Sequence, residues 1–157
     1  MTMQDLIASL KKRPQTLEEH MSEMKQEWLK ALGALFDDVA QWTKPAVEAG
    51  VLKVGHSQTD IQDDELGPYL APVVTISDQR YSVRFEPVGP RVVGMVGIGP
   101  NLPSGFRGLV NMICGPYKVP IVRQTDGSWM VLTMRGEPSA WNEEAFADLL
   151  SEVLLDA

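Results

Sequence analysis

Apolar residues in the first third of the chain recur at alternating spacings of three and four. This spacing keeps one apolar stripe on one side of an α-helix, and it predicts a long helix from Thr16 to Ala49. Thr16 and Glu19 have the pattern of a capping box, and Gly50 supplies a left-handed stop. Pro45 interrupts the pattern, so we expect a kink, or a second helix that begins near the proline. The stripe consists of Leu17, Met21, Met24, Trp28, Leu32, Leu35, Val39, Trp42 and Ala46.

A shorter apolar pattern precedes this helix. Leu6, Ile7 and Leu10 predict a short helix that ends at Pro14. Because proline interrupts an α-helix, we place a hinge at Pro14. The sequence therefore predicts an N-terminal arm at residues 1–14 and a single domain at residues 15–157, and the arm or the long helical stripe could join two copies of the chain as a homodimer.

The period of the pattern changes from about 3.6 to two after Gly50. Residues 80–86 alternate strictly between apolar and polar, which is typical of a half-buried strand whose arginine side faces water. Residues 71–76 supply a hairpin partner, and residues 117–123 and 129–134 form a second hairpin around an Asp-Gly turn. Runs of strand length also occur at 51–55, 91–98 and 108–114. Pro120 cannot donate a ladder hydrogen bond, so we expect its strand at or near a sheet edge.

A final helix is predicted to begin near Ser139 or Asn142. Its apolar face carries Phe146, Leu149, Leu150, Val153 and Leu154. Strands grouped between helices indicate an α+β fold. We expect an antiparallel meander sheet of about six or seven strands, backed on one face by the long N-terminal helix and the C-terminal helix.

Composition bounds the class of protein. The chain has 157 residues, of which 44% are hydrophobic, and this suits one domain with one core. No stretch approaches the roughly 20 apolar residues of a membrane helix, and the N-terminal apolar run is too short for an export signal. The single Cys114 cannot form an internal disulfide. We therefore expect a cytoplasmic protein that does not enter a membrane.

The charges are unevenly distributed along the chain. The net charge is −7, yet residues 71–135 hold seven of the fourteen basic residues against three acids, while the flanking helical segments are acidic. The excess of acid argues against nucleic-acid binding, which requires a basic face. Helices and strands are therefore expected to present opposite potentials, which is a signal for a charged partner.

No motif predicts catalysis. His56, Ser57 and Asp60 resemble a base, a nucleophile and an orienting acid, but triad members usually come from separate elements, and five adjacent residues seldom build that geometry. The glycines at 94, 97 and 99 lack the spacing and the following helix of a dinucleotide fingerprint. The acids of residues 60–65 miss the calcium-loop pattern, and Cys114 is expected in the core. We predict no catalytic residue, no metal site and no cofactor.

Two functional hypotheses remain. The first is a protein-binding module, in the manner of an immunity protein or a secretion chaperone, that holds or neutralises a basic protein partner. Its predicted contacts are Asp37, Asp38, Asp60, Asp63, Asp64, Glu65 and Trp141. The alternative is an enzymatic or ligand-binding domain in which Arg80, Arg84 and Arg107 hold an anionic ligand, because the guanidinium fork matches carboxylate and phosphate groups.

Overall fold

The computed structural model describes residues 2–12, 17–63, 66–90, 107–132 and 138–155. Within these ranges the chain forms three helices and seven strands. In chain order they are α1 (Met3–Lys12), α2 (Leu17–Glu48), β1 (Lys53–Asp63), β2 (Gly67–Ser77), β3 (Ser82–Gly89), β4 (Gly108–Cys114), β5 (Tyr117–Arg123), β6 (Trp129–Leu132), β7 (Pro138–Ala140) and α3 (Glu143–Leu155). The predicted α+β class is confirmed.

The strands form one antiparallel sheet in chain order from β1 to β7, which confirms the predicted meander. The two predicted hairpins correspond to β2–β3 and β5–β6. The first strand is longer than residues 51–55 alone would give, because β1 pairs with β2 along all eleven of its residues. The strand expected at 91–98 lies outside the described residues.

Pro120 lies on a strand that is not at the end of the sheet, since β5 has β4 on one side and β6 on the other. However, within the described residues β6 pairs only with Ile121, Val122 and Arg123. Pro120 pairs with Asn111 of β4 and has no partner in the described part of β6. The strand is internal, but at Pro120 its side toward β6 is unpaired in these ranges, so the missing N–H of the proline is tolerated there.

The long helix α2 continues through Pro45 as a single element, so the expectation of a second helix is wrong. A proline removes one backbone donor, and the buried contacts of the helix outweigh that cost. The stop at Gly50 is confirmed by its positive φ of 76°. Thr16, the expected cap, lies outside the described residues. At the other end of the chain, Asn142 Oδ1 accepts the backbone N–H of Ala145 at 2.8 Å, so α3 begins beyond Asn142 and not at Ser139.

Helices α2 and α3 pack against one face of the sheet in a single hydrophobic core. The stripe of α2 supplies Trp28, Leu32, Leu35 and Val39, which are all buried. The chain's own sheet therefore covers the central part of the stripe. Cys114 is also buried, its Sγ lies 4.0 Å from the Val153 carbonyl, and burial raises the pKa of its thiol. It is the small core residue that its sequence context predicts.

Candidate interaction surface and anion-binding cleft

The acids expected to contact a partner do not form one surface. Asp37 is exposed on α2 and Asp60 is exposed on β1. Asp63 ends β1, where its Oδ1 accepts the backbone N–H of Leu66 at 2.8 Å and so stabilises the hairpin turn. Asp64 and Glu65 lie outside the described residues. Of this group, Asp37 and Asp60 therefore combine a described position with free access to solvent.

Asp38 and Trp141 meet each other across the fold. The indole Nε1 of Trp141 donates to Asp38 Oδ2 at 3.3 Å, although the two residues are 103 positions apart. The Trp141 ring also packs against Trp42, with centroids 5.2 Å apart, and against Phe146, with centroids 5.5 Å apart. Trp141 is half-buried and acts as the expected hydrophobic staple at the start of α3. Its main contacts fix α3 on α2.

This contact gathers acids from both helices. It places the first turn of α3 beside the middle of α2, where Asp37 and Asp38 lie. We name the acids on the outer side of these two helices the acidic helix patch and define it as Asp37, Asp38, Glu143, Glu144 and Asp148. All members except Asp38 are exposed, and within the described residues these four form no ion pair.

The helical layer as a whole carries excess negative charge. Helix α2 has seven carboxylates against three lysines, and α3 has four carboxylates and no basic residue. Carboxylates in the first turn of α3 are also favoured by the helix dipole. The helical side of the molecule therefore carries a net negative charge.

The three arginines proposed for an anionic ligand are separated. Arg80 stands over the ring of Tyr81 at 5.4 Å, and the Nε of Arg84 lies 2.8 Å from Glu86 Oε1. Arg84 pairs with Ile113, which is near the far end of β4 from Arg107. Six residues of strand separate the two ends by about 20 Å. These arginines therefore cannot bind one small anion together.

Arg107 instead has Arg123 as its neighbour. The backbone N–H of Arg107 donates to the Arg123 carbonyl at 2.8 Å, where β4 and β5 meet. Both arginines line an open cleft of about 310 Å³. We call it the arginine cleft, and its other lining residues are His20, Met24, Glu27, Trp28 and Pro90. Arg123 Nη1 lies 3.3 Å from Glu27 Oε1, so the cleft holds two guanidinium groups against one carboxylate.

The base of the arginine cleft is formed by a close contact between helix and sheet. Trp28 is only 1% exposed and lies directly over Gly108, where a Cβ atom would come within 2.2 Å of the indole Cζ3. The ring also contacts Trp129, with centroids 6.1 Å apart. Burial raises the pKa of the neighbouring Tyr69 hydroxyl. Only glycine at position 108 permits this approach.

The geometry does not support a catalytic triad of His56, Ser57 and Asp60. Ser57 lies on the opposite face of β1 from His56 and Asp60, because side chains alternate along a strand. The glycines at 94, 97 and 99 lie outside the described residues. Among the residues that the structure describes, no three His, Cys, Asp or Glu side chains come together as a metal site.

No helix in the described part of the chain has both the length and the apolar character that crossing a membrane requires. No protein-family model, curated protein or solved structure matches the chain. The acidic helix patch and the arginine cleft are the two surfaces of the described residues that bear on function.

Proposed function

We propose that this protein is a binding module that holds a basic protein partner against its acidic helix patch. The observation that carries the proposal is the accumulation of exposed, unpaired carboxylates where α2 and α3 meet. Opposite charge on a partner would raise the rate of association and make the complex sensitive to salt. Immunity proteins and secretion chaperones are the classes of small protein in which such a surface holds or neutralises another protein.

The rigid attachment of α3 supports this proposal. An interaction surface discriminates between partners best when its side chains are already in place before binding. The Trp141–Asp38 hydrogen bond and the packing of Trp42, Trp141 and Phe146 fix the two helices relative to each other. Asp37, Glu144 and Asp148 thus project from a preorganised support, and their contribution to binding is electrostatic.

Reversing charge on the acidic helix patch tests the proposal. We expect Asp37→Lys with Asp148→Lys to abolish capture of a basic partner from lysate of the producing cells at low salt, while the fold is retained because both positions are exposed. The matched control is Glu23→Lys with Glu48→Lys, which changes the net charge equally at exposed positions of α2. These lie about 21 Å and 16 Å along the helix from Asp37.

Mass spectrometry of the captured material decides the outcome. One basic protein, retained in stoichiometric amount by wild type and by the control but lost with the patch variant, would support the binding module. Equal capture by the patch variant and the control would exclude the acidic helix patch. Asp38 and Asp63 are not substituted, because both make structural hydrogen bonds and their loss could change the fold as well as the surface charge.

A second function is favoured by the arginine cleft, which suits a small ligand with a carboxylate or phosphate group. Arg107 is exposed and forms no ion pair within the described residues, whereas Arg123 is held by Glu27. A bound anion would gain charge-assisted hydrogen bonds from both guanidinium groups. This hypothesis keeps Arg107 from the sequence prediction and replaces Arg80 and Arg84 with Arg123.

The cleft hypothesis predicts opposite effects for two substitutions. Arg107→Gln should weaken binding of inorganic phosphate or a dicarboxylate roughly ten- to a hundredfold, because one hydrogen bond to a charged group contributes about 1.5–3 kcal/mol. Glu27→Gln should strengthen binding, because it releases Arg123. Isothermal titration calorimetry measures both, with Arg84→Gln as the control outside the cleft. Equal affinities for all three variants, or no binding by wild type, would refute the hypothesis.

A further inference from the structure

The outer edge of β1 is long and accessible. β1 is the terminal strand of the sheet, and no other strand of the described ranges pairs with its outer side. Its eleven residues include no proline, and Gly55, His56, Ser57, Gln58 and Asp60 are exposed. The other terminal strand, β7, has only three residues and begins with Pro138. Short edges and prolines hinder strand addition, so of the two terminal strands β1 is the one open to a further strand.

The hydrogen-bonding direction along β1 follows from its neighbours. At the β2–β3 turn the N–H of Asp78 donates to the Tyr81 carbonyl, so even-numbered residues of β2 face β3. The backbone N–H and C=O groups of successive residues in a strand point to opposite sides, so odd-numbered residues of β2 form hydrogen bonds with β1. Pro68 and Pro72 have no backbone N–H, and both are even-numbered, so neither is required to donate a hydrogen bond to β1. This agrees with the assignment. Even-numbered residues of β2 pair with even-numbered residues of β1, so the latter direct their N–H and C=O groups outward.

We propose that this edge binds a second copy of the chain, with β1 paired antiparallel to β1 about a two-fold axis at Gln58. Residues whose numbers sum to 116 then lie opposite each other. Lys53 meets Asp63 of the other copy, and His56 meets Asp60 of the other copy. Each charged or ionisable side chain of the strand is thereby matched with a partner of complementary chemistry, and each match occurs twice.

The complementarity selects one register. In an antiparallel pair, the side chains of directly opposite residues project from the same face of the sheet. When both strands are copies of β1, the numbers of opposite residues must therefore differ by an even number. The two-fold axis then passes through a residue of β1 and not between two residues. An axis at Ser57 or at Thr59 brings neither matched pair together. At Gln58 the remaining opposite pairs are neutral, and the outward groups of Gln58 bond directly to their counterparts. The midpoint of the strand thus coincides with the midpoint of its charge pattern.

The predicted dimer goes beyond the proposed function and adds a geometric property to it. The two-fold axis is perpendicular to the sheet, so the helical layers of both copies lie on the same side. Two acidic helix patches then face one way, and a partner with two basic regions could engage both. Such bivalent binding raises apparent affinity without any new contact within each copy.

Proline substitution at the centre of the edge tests the backbone part of the proposal. Wild type should have the mass of two chains by sedimentation equilibrium and light scattering. Gln58→Pro should be monomeric, because it removes the central donor while leaving the ladder to β2 intact. Gln58→Ala retains the backbone donor and should remain dimeric. Circular dichroism and thermal melting confirm that all three proteins are folded.

Charge exchange tests the register. His56→Asp places two carboxylates opposite each other at both matched positions and should raise the dimer dissociation constant roughly tenfold. Adding Asp60→Lys to the same chain restores opposite charges and should recover the wild-type constant. Neither change involves Asp63, whose role in the hairpin turn would complicate interpretation.

Three outcomes would overturn the proposal. A monomeric wild type would show that the edge does not bind a second copy. A dimer that survives Gln58→Pro would use another surface, and its dissociation by Leu6→Glu would assign the interface to the exposed apolar residues of α1. The third outcome concerns a dimer that Gln58→Pro does dissociate. If Asp60→Lys fails to restore dimerisation of the His56→Asp chain in that case, the register at Gln58 is rejected.

Discussion

Trp28→Ala is expected to lower the free energy of unfolding by about 3–5 kcal/mol, the range for removing a buried large aromatic side chain. Trp28 is 1% exposed and joins α2 to the sheet, where it contacts Trp129 and the backbone of Gly108. Its removal leaves a cavity that the surrounding strands cannot fill without distorting their ladder. Urea denaturation monitored by circular dichroism measures the loss.

The control for this prediction is Trp28→Phe, which keeps an aromatic ring in the same position. It should cost less than the alanine variant, because more of the apolar contact remains. An unaltered midpoint of unfolding for Trp28→Ala would mean that the contact between α2 and β4 contributes little to stability. The packing of the arginine cleft would then need to be reconsidered.

Gly108→Ala is expected to lower the free energy of unfolding by about 1–3 kcal/mol, as overpacking of a core does. An added Cβ would come within 2.2 Å of Trp28 Cζ3 and within 2.8 Å of Cη2. Glycine to alanine within a regular element would otherwise stabilise the fold by about 0.5–1 kcal/mol. Gly33→Ala is the matched control, because a Cβ at that position in α2 meets no atom within 4 Å.

The two substitutions should be strongly coupled. In the Trp28→Ala background the clashing ring is gone, so Gly108→Ala should cost almost nothing. The double variant should therefore be more stable than the sum of the single losses implies, by an amount that a double-mutant cycle reports. Additive losses would mean that Gly108 is required for some reason other than its contact with Trp28.

Regular periodicity made the fold predictable from sequence. The stripe of α2 repeats over nine positions and residues 80–86 alternate strictly, so both elements and most of their buried residues follow from spacing. The buried Phe36 and Thr43 of α2 lie outside the predicted stripe. The Asn142 cap and the Gly50 stop are local signals of the same kind. β1 was underestimated because it lies at the edge and is mostly exposed, so it has no apolar alternation beyond its first residues.

The candidate sites were only partly predictable, because they depend on contacts between distant residues. Arg107 was identified by its charge, but Arg123 joins it only through the pairing of β4 with β5. Asp38 was predicted to face a partner, and its bond to Trp141 depends on how α3 docks on α2. Charge composition indicated an acidic helical layer, whereas the position of the patch within that layer required the tertiary structure.

The contact between Trp28 and Gly108 also has a consequence for synthesis of the chain. Every described strand of the sheet pairs with its neighbour in chain order, so hairpins can form as soon as they emerge from the ribosome. Helix α2 emerges before any of them, and about 80 residues separate Trp28 from the glycine that it covers. At about 5–20 residues per second that interval lasts roughly 4–16 s. Throughout this time Trp28 lacks its partner in β4, whereas the parts of the α2 stripe that contact β1 and β2 can be covered as soon as that first hairpin forms. The Trp28 end of the stripe is therefore the part of the nascent helix that stays uncovered longest.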